Sequence, residues 1–538
     1  MNRLVFLLIT LLFFNCETKT EVDLIVTNAN IYTVNDQFDK AEAFAVLDGK
    51  FLAVGNSEEI LSKYASIDIV DAEGQTITPG FIDAHCHFVG LGLAEQKVRL
   101  EGTKSYDEVL DRLIAFQKEK KLSFITGRGW DQNDWDVKKL PNKYKLDSVF
   151  PDTPVAIRRV DGHAMLLNQA AINLTTLDEN THVEGGEIVK ENGELTGLLI
   201  DQAMRFVGEV IPEPSLKETV LAIKDAEKIC FDYGLTTVDD AGLPREAIHL
   251  IDSLQQIDEL KIRVYAMASA YKENLDYFLD KGIIKTDRLN VRSFKFYADG
   301  ALGSRGAMLR EPYSDKHNHY GLLVNSIETL HKTAIRIANS DYQMNTHAIG
   351  DSANHAVLQA YKSALKGKKD RRWKVEHAQI ISPEDFDLFD DIIPSVQPTH
   401  ATSDMYWAED RVGPVRIKGA YAFKQLLDKY GKVALGTDFP VEHVSPFYTF
   451  YAAVARQDLE QFPEGGFQME NALTREESLK GMTIWAAFSN FEENEKGSIE
   501  AGKFADFIIL DKDIMETDIH NIPDMKVINT YVSGEKVK

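Results

Sequence analysis

Residues 78–88 read TPGFIDAHCHF. An apolar run leads into two histidines one residue apart, His85 and His87. On a strand, alternate side chains share a face, so both imidazoles point one way and Cys86 the other. Two imidazoles on one face can share a metal ion. The plainer alternative is a pair of surface histidines at a strand end. Further residues of metal-competent or acid–base type close strand-like runs downstream: Lys295 in SFKFYADG, His347 in QMNTHAIGD, His377 in WKVEHAQ, His400 in PSVQPTH and Asp438 in VALGTDFP. Charged side chains are rarely buried without a partner or an ion. Several of them meeting at one rim are hard to explain as packing.

The elements that must bring them together follow from periodicity. Eight short apolar runs, FIDAHCH, LTTVDDAG, RVYAMAS, SFKFYADG, QMNTHAIGD, WKVEHAQ, PSVQPTH and VALGTDFP, alternate with helical stretches. Residues 215–234 show the helical logic. Ser215 and Glu218 form a capping box, Leu216, Val220, Ile223 and Ile229 recur at helical spacing, and Gly234 stands where a C′ glycine belongs. Cys230 falls beside that apolar face and reads as core. Eight strand–helix units predict an α/β protein with a (β/α)8 barrel, whose sites lie at the C-terminal ends of the strands. Residues 97–230 or so contain extra strand-like runs, FITGRGW and PVAIRRVDGHA, and a hairpin turning at Asn192-Gly193. They read as an insertion after the first barrel strand. β-branched segments at 22–36, 505–513 and 527–538, with a hairpin signal at Asp48-Gly49, predict one small β-sandwich built from both chain ends. The expected layout is 17–78 with 496–538 for the sandwich and 79–495 for the barrel.

The net charge of the 538-residue chain is −24, which disfavours nucleic acid and anionic membrane surfaces as partners. Its 44 % apolar content allows a sizeable core, and three cysteines imply no disulfide framework. The first residues, MNRLVFLLITLLFFNC, place a basic Arg3 before an apolar run too short to span a bilayer. Ending at Cys16, this stretch resembles a bacterial lipoprotein signal over residues 1–16, with Asn15 departing from the usual small residue. An exported protein, held to a membrane only through lipidated Cys16, is the expectation. A cleaved soluble export signal and an uncleaved anchor are the alternatives.

Taken together, HxH on the first strand, Lys on the fourth, His on the fifth and sixth and Asp on the eighth resemble the amidohydrolase superfamily. FKFYADGALGSRGA, NTHAIGD, VEHAQ, VQPTHATSD and LGTDFPVE are similar to its amidohydrolase-3 subgroup, which includes YtcJ-like proteins and N-substituted formamide deformylases. The resemblance implies a metallohydrolase barrel holding one or two divalent ions, zinc foremost. His85 and His87 would hold one ion, and His347 and His377 a second. A carbamylated Lys295 would bridge them. Asp438 would touch the first ion and act as general base, with His400 as a donor to the developing oxyanion. The implied reaction is hydrolysis of an amide, an N-acyl or an N-formyl amine.

Cyclic amides, carbamates, esters and deamination are alternatives on the same barrel, and a non-catalytic ligand- or metal-binding protein is the rival from another class. The expected partner is a small amide-type substrate, with a homodimer left open. His163 in VDGHAMLLN, Trp130 and Asp131 in GRGWDQ, and Arg305 in LGSRGA are candidates for substrate contact. Glu376 reads as a structural carboxylate on the strand face opposite His377, and His317 and His319 as solvated loop residues.

Overall fold

Eight parallel strands pair in chain order: β1 (Phe81–Cys86), β2 (Leu235–Leu243), β3 (Arg263–Ser269), β4 (Leu289–Tyr297), β5 (Gln343–Ala348), β6 (Lys374–His377), β7 (Ile393–Val396) and β8 (Ala434–Leu435). These are the eight runs expected from the sequence. The computed structural model describes residues 19–183, 186–208 and 210–538. Cys16 and the lipoprotein reading lie outside the described residues. No helix among the described residues is long and apolar enough to cross a membrane.

The seam between β8 and β1 is closed by polar contacts rather than a full ladder. Asp438 N–H donates to the His85 carbonyl at 2.7 Å. The Asp83 carboxylate accepts from the Thr437 amide at 3.0 Å and from its hydroxyl at 2.7 Å. Gly436 is required there, because a Cβ would lie 2.5 Å from the His85 nitrogen. The eight strands thus form a nearly closed (β/α)8 barrel of the TIM type.

The outer layer includes α1 (Arg245–Gln256), α2 (Lys272–Lys281), α3 (Ile327–Ala338), α4 (Asp351–Leu365) and α5 (Pro398–Asp404). The first four each turn an apolar stripe inward. In α4, Ala353, Val357, Leu358, Tyr361, Ala364 and Leu365 are buried at helical spacing, and the helix stops at Lys366 in the left-handed region. In α3, Ser326 caps by accepting from the Thr329 amide at 3.1 Å. Outward residues of the strands meet these stripes: Phe294 of β4 packs against Phe278 of α2 and Tyr342, with ring centroids 6.4 and 4.9 Å apart.

Both chain ends contribute to two further sheets. One orders Lys50–Gly55, Ala43–Leu47, Leu24–Thr27 and Ile69–Asp71; the other orders Glu535–Lys536, Val527–Val532, Phe507–Leu510, Thr76–Pro79, Asn30–Tyr32 and Lys40–Ala41. They share a core in which Phe507 stacks on Tyr531 at 4.3 Å and meets Phe44 edge-on at 4.8 Å. Asp48 and Gly49 both take positive φ, 49° and 74°, as the tight hairpin between Leu47 and Lys50 demands.

The chain divides into two compact units. The barrel and the terminal sheets belong to the first, which runs to Cys86 and resumes at Cys230; the second is His87–Ile229. Its boundary lies about ten residues before the start read from the sequence. The physical reason is local: the helix Phe88–Ala94 packs so closely on its own unit that a Cβ at Gly92 would sit 2.1 Å from the Ala222 carbonyl oxygen. A six-stranded mixed sheet forms this unit, in the order Lys97–Arg99, Ile125–Trp130, Val155–Arg159, Ala164–Leu167, Glu194–Asp201 and Gly186–Glu191.

Candidate metal centre

His85 is fully buried near the end of β1. Its Nδ1 lies 2.5 Å from Oε2 of Glu376 on β6, and its Nε2 lies 2.9 Å from Nζ of Lys295 on β4 and 3.7 Å from Asp438. The carboxylate therefore accepts a hydrogen bond from Nδ1–H and leaves Nε2 as the electron-pair donor, an arrangement that orients metal-binding histidines. Burial alone would raise the Glu376 carboxyl; the facing His85, with Lys374 and Lys295, instead holds it at about 2. Burial, reinforced by Lys295, pushes His85 below the ordinary imidazole value.

His377 ends β6 and is held in the same way, with Nδ1 2.7 Å from the side-chain oxygen of Gln397. Burial pushes it well below the usual imidazole range. Its ring lies 4.7 Å from that of His85 and 4.5 Å from that of His347 on β5. Burial and the Lys295 charge lower His347 to about 3. Lys295 is itself lowered to about 8 by burial. Asp438 follows β8, its two oxygens 3.7 Å from His85 Nε2 and 3.6 Å from His400 Nε2. Ligand-capable atoms of His377, His400 and Asp438 lie within 4.8 Å of one another; His87 directly follows β1 and is half-buried.

The donor chemistry fits a divalent ion. The lowered imidazoles are neutral at physiological pH, and two have their proton-bearing nitrogens occupied by Glu376 and Gln397. Nε2 of His347 is buried without a hydrogen-bond partner among the described residues. Orphaned buried nitrogens are costly in a native core unless something coordinates them.

Two backbone features make this convergence possible. Along β6, alternation sends Lys374 and Glu376 into the barrel, which should turn His377 outward. A φ of +71° at His377 swings it back toward the other histidines, and Asp438 has φ +63°. Such values are uncommon outside glycine and gather at functional sites. This corrects the expectation for Glu376, which shares the site with His377 instead of facing away from it. His400 also differs: β7 stops at Val396, and the histidine sits in the first turn of α5. Asp299 carries no signal in the sequence, where Asp-Gly after a strand reads as a turn. It accepts the amides of Met308, Ile349 and Gly350 at 2.8, 3.0 and 2.8 Å, and lies 3.7 Å from His347 Nε2.

The substrate-contact candidates are placed as follows. Trp130 is fully buried in the apolar core of the second unit and its indole N–H donates to the Ile157 carbonyl at 3.0 Å, so it is a packing residue and not an accessible pocket wall. Asp131 accepts from Arg159 at 2.6 Å and caps the turn at Asn133. His163 is exposed and bonded to Asp201 at 2.7 Å. Arg305 makes a two-point pair with Asp315 at 3.0 and 2.8 Å. His317 is exposed, whereas His319 is half-buried and braces the loop through the Arg305 carbonyl at 2.8 Å. Cys86 turns away toward the Asp239 carbonyl, and burial raises its thiol well above the usual value.

The amidohydrolase family pattern, Amidohydro_3, matches residues 68–538. Protein LONG AFTER FAR-RED 3 of Arabidopsis thaliana is 32% identical, over 96% of this chain and 91% of its own length. YtcJ of Bacillus subtilis (strain 168) is 30% identical, over 94% and 98%. The N-substituted formamide deformylase of Arthrobacter pascens is 25% identical, over 95% and 97%. Among solved structures, a metal-dependent hydrolase from Pyrococcus furiosus superposes with a TM-score of 0.76 at 28% identity, covering 92% of this chain and 100% of that one. Matched along nearly its whole length to such proteins, the chain belongs to the amidohydrolase family and is a metal-dependent hydrolase of carbon–nitrogen bonds.

Proposed function

We propose that the substrate is a linear amide, an N-acyl or N-formyl amine, cleaved at the barrel mouth. The carrying observation is the pair of buried imidazoles of His85 and His377 beside Asp438, both lowered by burial, with His85 oriented by Glu376. The full-length likeness to an N-substituted formamide deformylase supports the N-formyl class.

His85, His87, Lys295, His347, His377 and Asp438 would hold one or two divalent ions, with zinc the first candidate for a set of imidazoles and carboxylates. Such an ion polarises a carbonyl and brings the pKa of water to about 7. Asp438 takes the proton of the attacking water and returns it to the leaving nitrogen, which departs as a neutral amine. Its position 3.6 Å from His400 lets that histidine donate to the carbonyl oxygen as negative charge develops. Lys295 cannot ligate as an ammonium. With its amine lowered to about 8, a neutral fraction exists at physiological pH. Its Nζ lone pair adds to the carbon of CO2, an N–C bond forms, one proton is released, and the resulting carbamate offers two oxygens. At the N-terminus we propose export and lipidation at Cys16, which the mass of the mature N-terminal peptide would test.

The test is turnover of a panel of N-substituted formamides and N-acyl amines by metal-loaded protein. Asp438→Asn should keep bound metal while kcat falls by about 10²–10⁴-fold. Near-normal turnover in that variant removes Asp438 from its role. Metal-loaded wild type that turns over none of the panel removes the amide reading.

A further inference from the structure

Outside the metal centre, the outer layer of the barrel opens between α2 and α3. A cavity of about 560 Å3 lies there, over the ends of β3 and β4. That size is within the range of small-molecule sites. Its floor is apolar, with Leu275 and Phe296 both buried and Tyr297 beside them. Its cations are Lys272 at the start of α2 and Lys332 and Arg336 one turn apart on α3. Among the described residues, no aspartate or glutamate lines it. In a chain of net charge −24, three cations and no acid in the lining of one cavity is a local reversal of sign.

The acids that steady these cations stand outside the lining. Asp276 pairs with Lys272 and Arg336, each at 2.5 Å, and Glu328 pairs with Lys332 at 2.6 Å. An entering ligand therefore meets apolar surface below and positive charge at the rim. We propose that this cavity is a binding site for a small carboxylate with an apolar body. The body rests on Phe296 and Leu275, and the carboxylate meets Lys332 and the planar guanidinium of Arg336, which suits two-point recognition.

The experiment is calorimetric titration of the full chain with 4-phenylbutyrate, and with the neutral 4-phenylbutyramide as control. The carboxylate should bind saturably, more weakly at high salt, and the amide about ten-fold or more weaker, as expected for loss of charge-assisted hydrogen bonds. Lys332→Glu, at an exposed position that does not endanger folding, should weaken the carboxylate by a similar factor. Thr333→Phe, which fills the cavity, should abolish binding. No binding to wild type, equal binding of amide and carboxylate, or unchanged affinity in Lys332→Glu overturns the proposal. These measurements involve no turnover, so they stand or fall separately from the amide reading. On the amide reading, a carboxylate is also a hydrolysis product. Competition with a turned-over N-acyl amine then assigns the site to product, and an effect on kcat alone assigns it to a separate effector.

Discussion

Glu376 sets which nitrogen of His85 carries a proton, and through it which electron pair faces Lys295 and Asp438. Glu376→Gln keeps an acceptor for Nδ1–H but removes the charge that strengthens the bond. Metal affinity, measured by chelator competition, should fall by about 10–100-fold, the usual penalty for losing such a partner. An unchanged affinity would show that packing alone orients the ring. The residue is invisible to a strand-parity argument, because a reader of VEHA assigns adjacent side chains to opposite faces. Only the left-handed backbone at His377 defeats that rule.

At the scale of elements, the first and last strands must meet closely enough for Asp438 to reach His85. Gly436 permits it, with room for a hydrogen and none for a methyl. Gly436→Ala forces the seam apart and should cost about 1–3 kcal/mol, the range for overpacking. It should also weaken metal binding, since His85 and Asp438 move with the seam. Thermal unfolding with metal titration checks both. The eight strands were legible because each is a short apolar run bounded by polar residues. The end of β7 was not, since PTHATSD carries a proline that starts a helix as readily as it follows a strand.

Across the first unit, buried ion pairs join barrel and terminal sheets. Arg263 at the start of β3 meets Asp506 at 2.6 and 2.9 Å, and both are buried. Asp506→Ala leaves a buried guanidinium without its carboxylate and should cost about 3–5 kcal/mol, read as a lower midpoint in denaturant. Glu492 is buried against Lys285 and Lys496 at 2.6 and 2.9 Å. Although burial raises it, those two cations hold it at about 2, against an ordinary 4.5. With the folded value lowered, the unfolded chain binds more protons in this range. Its stabilisation is therefore present above pH 4.5 and lost as pH falls toward 2. Glu492→Gln should show a shallower loss of stability over that window, measured by urea unfolding at stepped pH. An identical slope would place the acid sensitivity elsewhere.

Local chemistry by itself determined the barrel, the two-ended sheet domain, the insertion and the histidine-rich strand ends. Strand periodicity, capping and turn residues act within a few positions and are written in composition and spacing. Tertiary structure alone decided which atoms face one another: Glu376 with His85, Gln397 with His377, Trp130 in a core, Arg305 held by Asp315. Those outcomes depend on positive φ at two residues and on contacts between residues up to hundreds of positions apart, and neither leaves a trace in a short window of sequence.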